Sequence, residues 1–176
     1  GSVAALAGAI GTALCAMVAR LTLGRQKLRD AWPAMEEAAA EADRLRTRFL
    51  LLVDEDADAY LAVAAVRKMP KGTDGERDAR ARALEAAVLH SARVPLETLL
   101  LAGQAVALAA RVLERGNPAC ITDAGSAVQA ARLAAEAAAY NVRINLPDIA
   151  DAAERARLAR DAGAALAAVR SEADRL

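Results

Sequence analysis

Apolar residues recur three or four positions apart along most of the chain, in long runs separated by short polar segments. This spacing is typical of helices that bury one face, and no segment has the pattern of a strand. The runs predict five helices, over about residues 3–23, 31–69, 76–115, 122–141 and from 148 to the C-terminus. The sequence therefore predicts an all-α protein, with about five long antiparallel helices in an up-and-down bundle and residues 1–176 forming a single domain.

Residues at the ends of these runs are typical of helix caps and helix breaks. Ser2 is predicted to cap the first helix, and either Thr122 or Asp123 to cap the fourth. Asp148 is predicted to cap the last helix. Pro95 lies inside the third run, where it is expected to kink or split the helix because proline lacks a backbone N–H.

The first run, residues 3–19, is apolar throughout and raises the question of a membrane span or a signal sequence. Its 17 residues are at the short limit for a span. No basic segment precedes it, and runs rich in Ala and Gly insert weakly into membranes. We therefore expect a buried core helix and no membrane role.

The composition narrows the range of functions. Hydrophobic residues make up 56% of the chain but aromatic residues only 2%, which favours closely packed Ala-rich helices. The 23 basic and 23 acidic residues balance, so there is no electrostatic case for nucleic-acid binding. The two cysteines form no disulfide framework, and a reduced, cytoplasmic location is expected. With one histidine and no CxxC or HExxH motif, no metal site is expected.

Three acids, Asp54, Asp56 and Asp58, interrupt the second predicted helix in the stretch DEDADAY. Steps of three or four residues from Phe49 lead to Asp56 and then to Tyr60, so Asp56 lies within an apolar stripe. Asp54 and Asp58 lie about 200° round the helix from it. Asp56 is therefore predicted to point inward, where it either bonds a neighbouring helix or acts as a general acid and base in a pocket.

Six segments of the chain, taken together, resemble one family. The segment from Gly1 to Lys27 resembles the opening of the cyclodeaminase/cyclohydrolase family of folate enzymes, in which Gly-Gly-Gly-Ser precedes an Ala-rich helix and Leu-Thr-x-Gly. The other similar segments follow in the family's order and spacing as far as about Asp148: DEDADAY, KMPKGT, RVPLETL, RGNPACITDAG and YNVRINLPDI.

The resemblance implies an all-helical homodimer that acts on one-carbon tetrahydrofolates, with active sites where the protomers meet. One family activity is cyclodeamination of 5-formiminotetrahydrofolate to 5,10-methenyltetrahydrofolate with loss of ammonia. The other is hydrolysis of the methenyl form to 10-formyltetrahydrofolate. The position assigned as the active-site acid corresponds to Asp56. The folate is the substrate, and no separate cofactor is implied.

The chain departs from the family's pattern at several positions. Members usually carry an N-terminal helix and two more glycines before Gly1, so the family's N-terminal helix is expected to be missing here. The aromatic residue that follows the basic segment in the family is Leu28 in this chain. The family's serine before Asp123 is Thr122, which keeps the hydroxyl. No formiminotransferase domain is expected within these residues.

Polar residues in the matching segments are candidate substrate contacts, each with a simpler alternative. Arg25 and Lys27 would pair with the substrate's glutamate carboxylates, or would only supply favourable charge at a helix C-terminus. Asn117 and Asn145 would bind the pterin or amide edges of the substrate, or would only stabilise turns. Ser2 would help to bind an anion at a helix N-terminus, or would only cap the helix.

Asp123 is the second candidate for a catalytic acid, with a simple helix cap as its alternative, and Thr122 beside it is a candidate substrate contact. The favoured function is the cyclodeaminase reaction with Asp56 as general acid and base. Because the same acid can serve both reactions, methenyltetrahydrofolate cyclohydrolase is the alternative. A further alternative is a non-catalytic helical dimerisation protein of the same fold.

Overall fold

A computed structural model describes all residues from Gly1 to Leu176. Short 3-10 turns at Gln26–Ala31, Pro118–Cys120 and Leu146–Asp148 lie in three of the four connections between helices. The five helices are α1 (Ser2–Leu23), α2 (Trp32–Arg67), α3 (Asp74–Arg115), α4 (Ile121–Asn145) and α5 (Ala152–Arg175). There is no strand, so the predicted all-α fold with five long helices is confirmed.

The first four helices pack side by side, and the fifth covers one edge. Helix α1 lies between α2 and α4, and α3 completes the group by packing against the same two neighbours. Helix α5 lies outside, against α3 and α4. All five helices contribute to one core of 44 buried hydrophobic residues, of which 23 are alanines, so the helix axes approach closely.

Two predicted helix caps at the beginnings of α1 and α4 are wrong. Ser2 is the first helical residue of α1, and Gly1 occupies the cap position without a side-chain bond. Helix α4 begins three residues after Pro118, with Cys120 at its cap position. The 3-10 turn therefore places Thr122 and Asp123 inside the first turn of α4, where they no longer cap it.

The predicted cap at Asp148 and the predicted split of the third helix at Pro95 are also wrong. The cap of α5 is Asp151, whose side chain accepts hydrogen bonds from the backbone N–H groups of Ala153 and Glu154. Asp148 instead ends a short 3-10 turn and forms an ion pair with Arg67. Pro95 does not split the third helix, which runs unbroken from Asp74 to Arg115.

Two helices, α1 and α3, are long and apolar enough to cross a membrane. However, 61% of the apolar window in α1 and 56% of that in α3 is buried against the other helices. This burial accounts for their apolar character as core helices, since core helices are expected to be hydrophobic on more than one face.

Close contact of α1 with its neighbours depends on two glycines. A Cβ atom at Gly8 would lie 2.4 Å from Cε1 of Phe49, whose ring is fully buried in α2. A Cβ atom at Gly11 would lie 3.0 Å from the backbone oxygen of Ala127 in α4. Both glycines therefore let α1 settle into the groove between α2 and α4.

We expect Gly8→Ala to destabilise the bundle by about 1–3 kcal/mol, because the added carbon would overlap the fully buried ring of Phe49 and force the packing there to shift. Gly163→Ala in α5 is the matched control, since no atom lies within 4 Å of the added carbon. That control should be neutral or stabilising by up to about 1 kcal/mol, the usual gain in helix propensity. Urea unfolding of both variants measures the difference, and equal stabilities would contradict the packing of α1 on Phe49.

Candidate functional site

A polar cavity opens at the N-terminal end of α1, where this helix meets α2, α3 and α4. Its volume is about 340 Å³. Asp56 is the one carboxylate in its lining, which otherwise consists of small, amide, hydroxyl and apolar groups: Gly1, Tyr60, Ser91, Asn141, Ile144 and Asn145. An acid surrounded by neutral polar groups in a concave site is a candidate for proton transfer.

The helical periodicity of DEDADAY correctly predicts which of its acids points inward. Asp56 faces α1 with only 22% of its side chain exposed, whereas Asp54 and Asp58 are exposed to solvent. The apolar stripe is fully buried at Phe49 and Leu52, but it ends at Tyr60, which is 71% exposed. Asp56 therefore lies at the boundary between the core and the cavity.

Asp56 is held by the beginning of α1. The backbone N–H of Ser2 donates to Oδ2 of Asp56 at 2.8 Å, and the Ser2 hydroxyl lies 2.9 Å from the same oxygen. The nitrogen of Gly1 lies 3.3 Å from this oxygen as well. A helix N-terminus favours a negative group, so the anion that Ser2 was predicted to help bind is here the protein's own carboxylate.

Gly1 must be a glycine for Asp56 to sit where it does. A Cβ atom on Gly1 would lie 1.9 Å from Oδ1 of Asp56, far inside van der Waals contact. The nitrogen of Gly1 also donates to Oδ1 of Asn141 in α4 at 2.9 Å. The start of α1 is thus tied to both α2 and α4, and its backbone forms one wall beside the carboxylate.

The two oxygens of Asp56 have different surroundings. Oδ2 accepts the hydrogen bonds from Ser2, whereas Oδ1 has no donor within the protein. Although it lacks a partner, Oδ1 is not fully buried, so it is open to the cavity. Asp56 therefore offers a free carboxylate oxygen to a molecule bound there.

Asn145 lines the cavity and also repairs the helix break expected at Pro95. Because Pro95 has no N–H, the carbonyl of Ser91 one turn earlier lacks its usual donor. The side-chain Nδ2 of Asn145 donates to that carbonyl at 2.9 Å and also to the carbonyl of Asn141. This explains why α3 continues through Pro95. It leaves Nδ2 of Asn145 no hydrogen for a ligand, while Oδ1 accepts a hydrogen bond from the Ser91 hydroxyl at 3.4 Å.

Asn141 was not predicted as a site residue. Its signal in the sequence was its position four residues before Asn145 in YNVRIN, which places both amides on one face of α4. Ser91 and Tyr60 were also missed, because their side chains join the cavity from different helices. The meeting of residues from α2, α3 and α4 is a tertiary feature that no local pattern reports.

Arg25, Lys27 and Asn117 come together at the other end of α1. They line a cavity of about 250 Å³ together with Leu28, Pro118 and Ala119. Since α1 has 22 residues, about 33 Å of helix separates this cavity from Asp56. The predicted basic residues and the predicted acid therefore lie at opposite ends of the bundle.

Asn117 also stabilises a turn, which was the alternative to substrate binding predicted for it. Its side-chain oxygen accepts a hydrogen bond from the backbone N–H of Ala119 at 3.1 Å, and its own N–H donates to the hydroxyl of Thr22. Thr122 and Asp123 follow in the first turn of α4 and line neither cavity. Their roles in substrate binding and catalysis stay predictions.

The cysteines lie buried outside the cavity, and no metal-binding cluster lies near Asp56. Burial raises the pKa of the Cys15 thiol to about 12, so it stays protonated at neutral pH, and Cys120 is also buried. No group of three or more His, Cys, Asp or Glu side chains is placed to hold a metal ion. The chemistry available at the cavity is proton transfer by a carboxylate and hydrogen bonding by amides and hydroxyls.

Sequence comparisons place the chain among folate-processing proteins. The family model described as formiminotransferase-cyclodeaminase matches residues 1–164. A methenyltetrahydrofolate cyclohydrolase from Methylorubrum extorquens is 35% identical over 153 residues, covering 87% of this chain and 74% of that protein. The formimidoyltransferase-cyclodeaminase of Mus musculus is 34% identical over 151 residues, covering 86% of this chain and 28% of that protein.

The fold is shared with a solved structure. The crystal structure of formiminotetrahydrofolate cyclodeaminase from Thermotoga maritima matches this chain with a TM-score of 0.87. The match covers 99% of this chain and 83% of that chain, at 24% identity. At that identity, the likeness establishes the common helical fold alone.

We expect Asn145→Ala to destabilise the protein by about 1–3 kcal/mol, because it leaves the carbonyl of Ser91 without a donor. In a Pro95→Ala background the same substitution should cost at least about 1 kcal/mol less, since residue 95 then supplies a backbone N–H to that carbonyl. Urea unfolding of the two single variants and the double variant measures this coupling. Equal costs in both backgrounds would show that Asn145 does not repair the break at Pro95.

Proposed function

The chain belongs to the formiminotransferase-cyclodeaminase family, and from this premise we propose that it catalyses cyclodeamination of 5-formiminotetrahydrofolate to 5,10-methenyltetrahydrofolate and ammonia. The observation that carries the proposal is Asp56, the one carboxylate of the cavity, held through Oδ2 and open at Oδ1. The folate derivative is the substrate, no separate cofactor takes part, and the enzyme works in the cytoplasm.

Cyclodeamination requires two proton movements that one carboxyl group can perform in sequence. The anilino nitrogen of the folate attacks the carbon of the protonated formimino group, whose C=N bond becomes a C–NH2 bond, and Asp56 accepts the proton which the anilino nitrogen releases. Asp56 then returns that proton to the former formimino nitrogen, whose bond to carbon breaks, so that ammonia leaves and the methenyl cation remains. A positioned general acid and base of this kind contributes about 10²- to 10⁴-fold to the rate.

Hydrolysis of the methenyl form is the second candidate reaction. Its support is the cyclohydrolase from Methylorubrum extorquens, which is 35% identical over 87% of this chain. In that reaction Asp56 would remove a proton from a water molecule as the water attacks the methenyl carbon. The bond from that carbon to the pterin-ring nitrogen then breaks as Asp56 gives its proton to that nitrogen, and the added hydroxyl loses its own proton to solvent to become the formyl oxygen of the 10-formyl product.

The proposed enzyme is a homodimer, and an apolar stripe on α1 supports that assembly. Five large hydrophobic side chains at helical spacing point away from the bundle along the whole length of α1: Val3, Leu6, Ile10, Met17 and Leu21. Exposed apolar surface of this extent typically marks a protein interface. A second copy of the chain has the same stripe, so pairing of the two α1 helices would cover both.

An antiparallel pairing of the two stripes would also unite the two groups of predicted site residues. A two-fold axis midway along the stripe sets the C-terminal end of one α1 beside the N-terminal end of the other. Arg25 and Lys27 of one protomer would then lie near Asp56 of its partner. The basic residues would pair with the substrate's glutamate carboxylates while Asp56 acts on its one-carbon group.

We expect Asp56→Asn to lower kcat by at least about 10²-fold in the reaction that the protein performs, because the amide cannot shuttle a proton. The swap is nearly isosteric, so the fold should persist. Formimino- and methenyltetrahydrofolate, supplied separately and followed by the methenyl absorbance, decide which reaction this is.

Asp58→Asn is the matched control for that experiment, because Asp58 is exposed on the same helix. It should keep wild-type turnover. Near-normal activity in Asp56→Asn would overturn the assignment of the acid. A wild-type protein that neither turns over nor binds either folate would favour the non-catalytic dimerisation protein instead.

We expect Ile10→Glu to convert the dimer to monomers and to lower activity, because the paired stripe would have to bury a charge. Leu51→Glu is the control, since Leu51 is 52% exposed and Ile10 51%, but Leu51 lies on α2 outside the stripe. Light scattering coupled to size-exclusion chromatography measures the masses. A monomeric wild-type protein, or an Ile10→Glu variant that stays dimeric, would contradict pairing through α1.

A further inference from the structure

We propose that Ser2 is a positioning residue that holds Oδ2 of Asp56 and thereby makes Oδ1 the oxygen that exchanges protons with the substrate. This inference rests on the proposed function, because it describes how Asp56 would carry the proton. It also gives Ser2 a role other than the predicted substrate contact.

The donors around Oδ2 leave little room for a proton on that oxygen. The Ser2 backbone N–H lies 2.8 Å from it and the Ser2 hydroxyl 2.9 Å, with the nitrogen of Gly1 at 3.3 Å. A carboxylate oxygen has about two lone pairs with which to accept hydrogen bonds. Protonation of Oδ2 would therefore sacrifice an existing hydrogen bond, and hydrogen bonds to charged groups are among the stronger ones in proteins.

Oδ1 has none of these obstacles. It accepts no hydrogen bond from the protein, and it is open to the cavity. The neighbouring Gly1 has no side chain to block this oxygen, whereas a Cβ atom there would lie 1.9 Å from Oδ1. A proton can therefore arrive at and leave Oδ1 without breaking any bond that holds the side chain.

The Ser2 hydroxyl is itself committed to this arrangement. It carries a single proton, and two acceptors lie within reach: Oδ2 of Asp56 at 2.9 Å and the backbone oxygen of Val53 at 3.1 Å. Both acceptors belong to α2, so the hydroxyl binds the wall of the site and has no second proton for a ligand. The fixed Oδ2 prevents rotation of the carboxylate, which keeps Oδ1 directed into the cavity.

Few other groups compete with Asp56 for the proton. Among the residues that line the cavity, Tyr60 on α2 has the only other ionisable side chain. At the beginning of α1, the nitrogen of Gly1 faces Asp56. The neighbours from α3 and α4, Ser91 and Asn141, are neutral. Asp56 is thus the group whose proton Ser2 can direct.

The test compares Ser2→Ala with Ser2→Thr in steady-state kinetics on the substrate that the wild-type protein converts. Ser2→Ala should lower kcat by about 10- to 100-fold, the value of a hydrogen bond to a charged group, with KM changed by less than about threefold. Ser2→Thr keeps the hydroxyl and should restore kcat to within about threefold of the wild type. Circular dichroism confirms that the compared samples are folded.

A rise in KM with kcat unchanged, or a rise in KM as large as the fall in kcat, would identify Ser2 as a substrate contact and overturn the proposal. Unchanged kcat and KM in folded Ser2→Ala would overturn it too. In an Asp56→Asn background, Ser2→Ala should have no further effect on kcat, because the group through which it acts is gone. A further loss in that background would contradict the proposal.

The same experiment separates this inference from the proposed function. If Asp56→Asn is as active as the wild type, the proposed function fails and Ser2 has no acid to position. If Asp56→Asn is inactive but Ser2→Ala keeps its kcat, Asp56 remains the acid and only the role of Ser2 fails.

Discussion

The close seating of α1 between α2 and α4 is the constraint on which the site depends. Small side chains on the inner face of α1 let its axis approach its neighbours, and Gly8 accepts the ring of Phe49 where any Cβ atom would collide. Phe49 lies on the same stripe of α2 as Asp56, two helical turns earlier. The packing that sets the depth of α1 therefore also sets the distance between its first residues and the carboxylate. A shift of α1 by a fraction of an ångström would act on the core and on the hydrogen bonds of Asp56 together.

The N-terminus of α1 performs two tasks with one set of groups. Its first backbone N–H groups have no partner within the helix, and the carboxylate of Asp56 supplies an acceptor for that of Ser2. In return, one oxygen of the partly buried Asp56 carboxylate receives hydrogen bonds, without which burial of the charge would cost free energy of folding. The arrangement stabilises the bundle through Oδ2 and leaves Oδ1 available for chemistry. Stability and reactivity are in this way assigned to different atoms of the same side chain.

Helical spacing alone predicts the five helices and identifies Asp56 as the inward acid, because both follow from contacts within a few residues of the chain. Two of the errors occur where a distant segment decides the outcome. Pro95 does not break α3, because Asn145, fifty positions later in the chain, donates to the carbonyl that the proline leaves free. Ser2 does not cap α1, because its hydroxyl finds acceptors in α2. Both residues stand out in the sequence, but the groups that decide their roles lie in other helices and leave no local pattern.

The two faces of α1 explain why the candidate site residues occupy both of its ends. The inner face carries small residues that fit the bundle, whereas the outer face carries large apolar residues that no other helix of the protomer covers. A helix needs only its inner face to build the fold, and the proposed dimer would give the large outer residues a partner. A second α1 in antiparallel orientation would cover them, and the two-fold axis would bring the cationic end of each helix to the acidic end of the other. The separation of about 33 Å within one chain would then become proximity between two chains. In that dimer the length of α1 would have to match the offset between the acid and the basic residues that serve the same ligand.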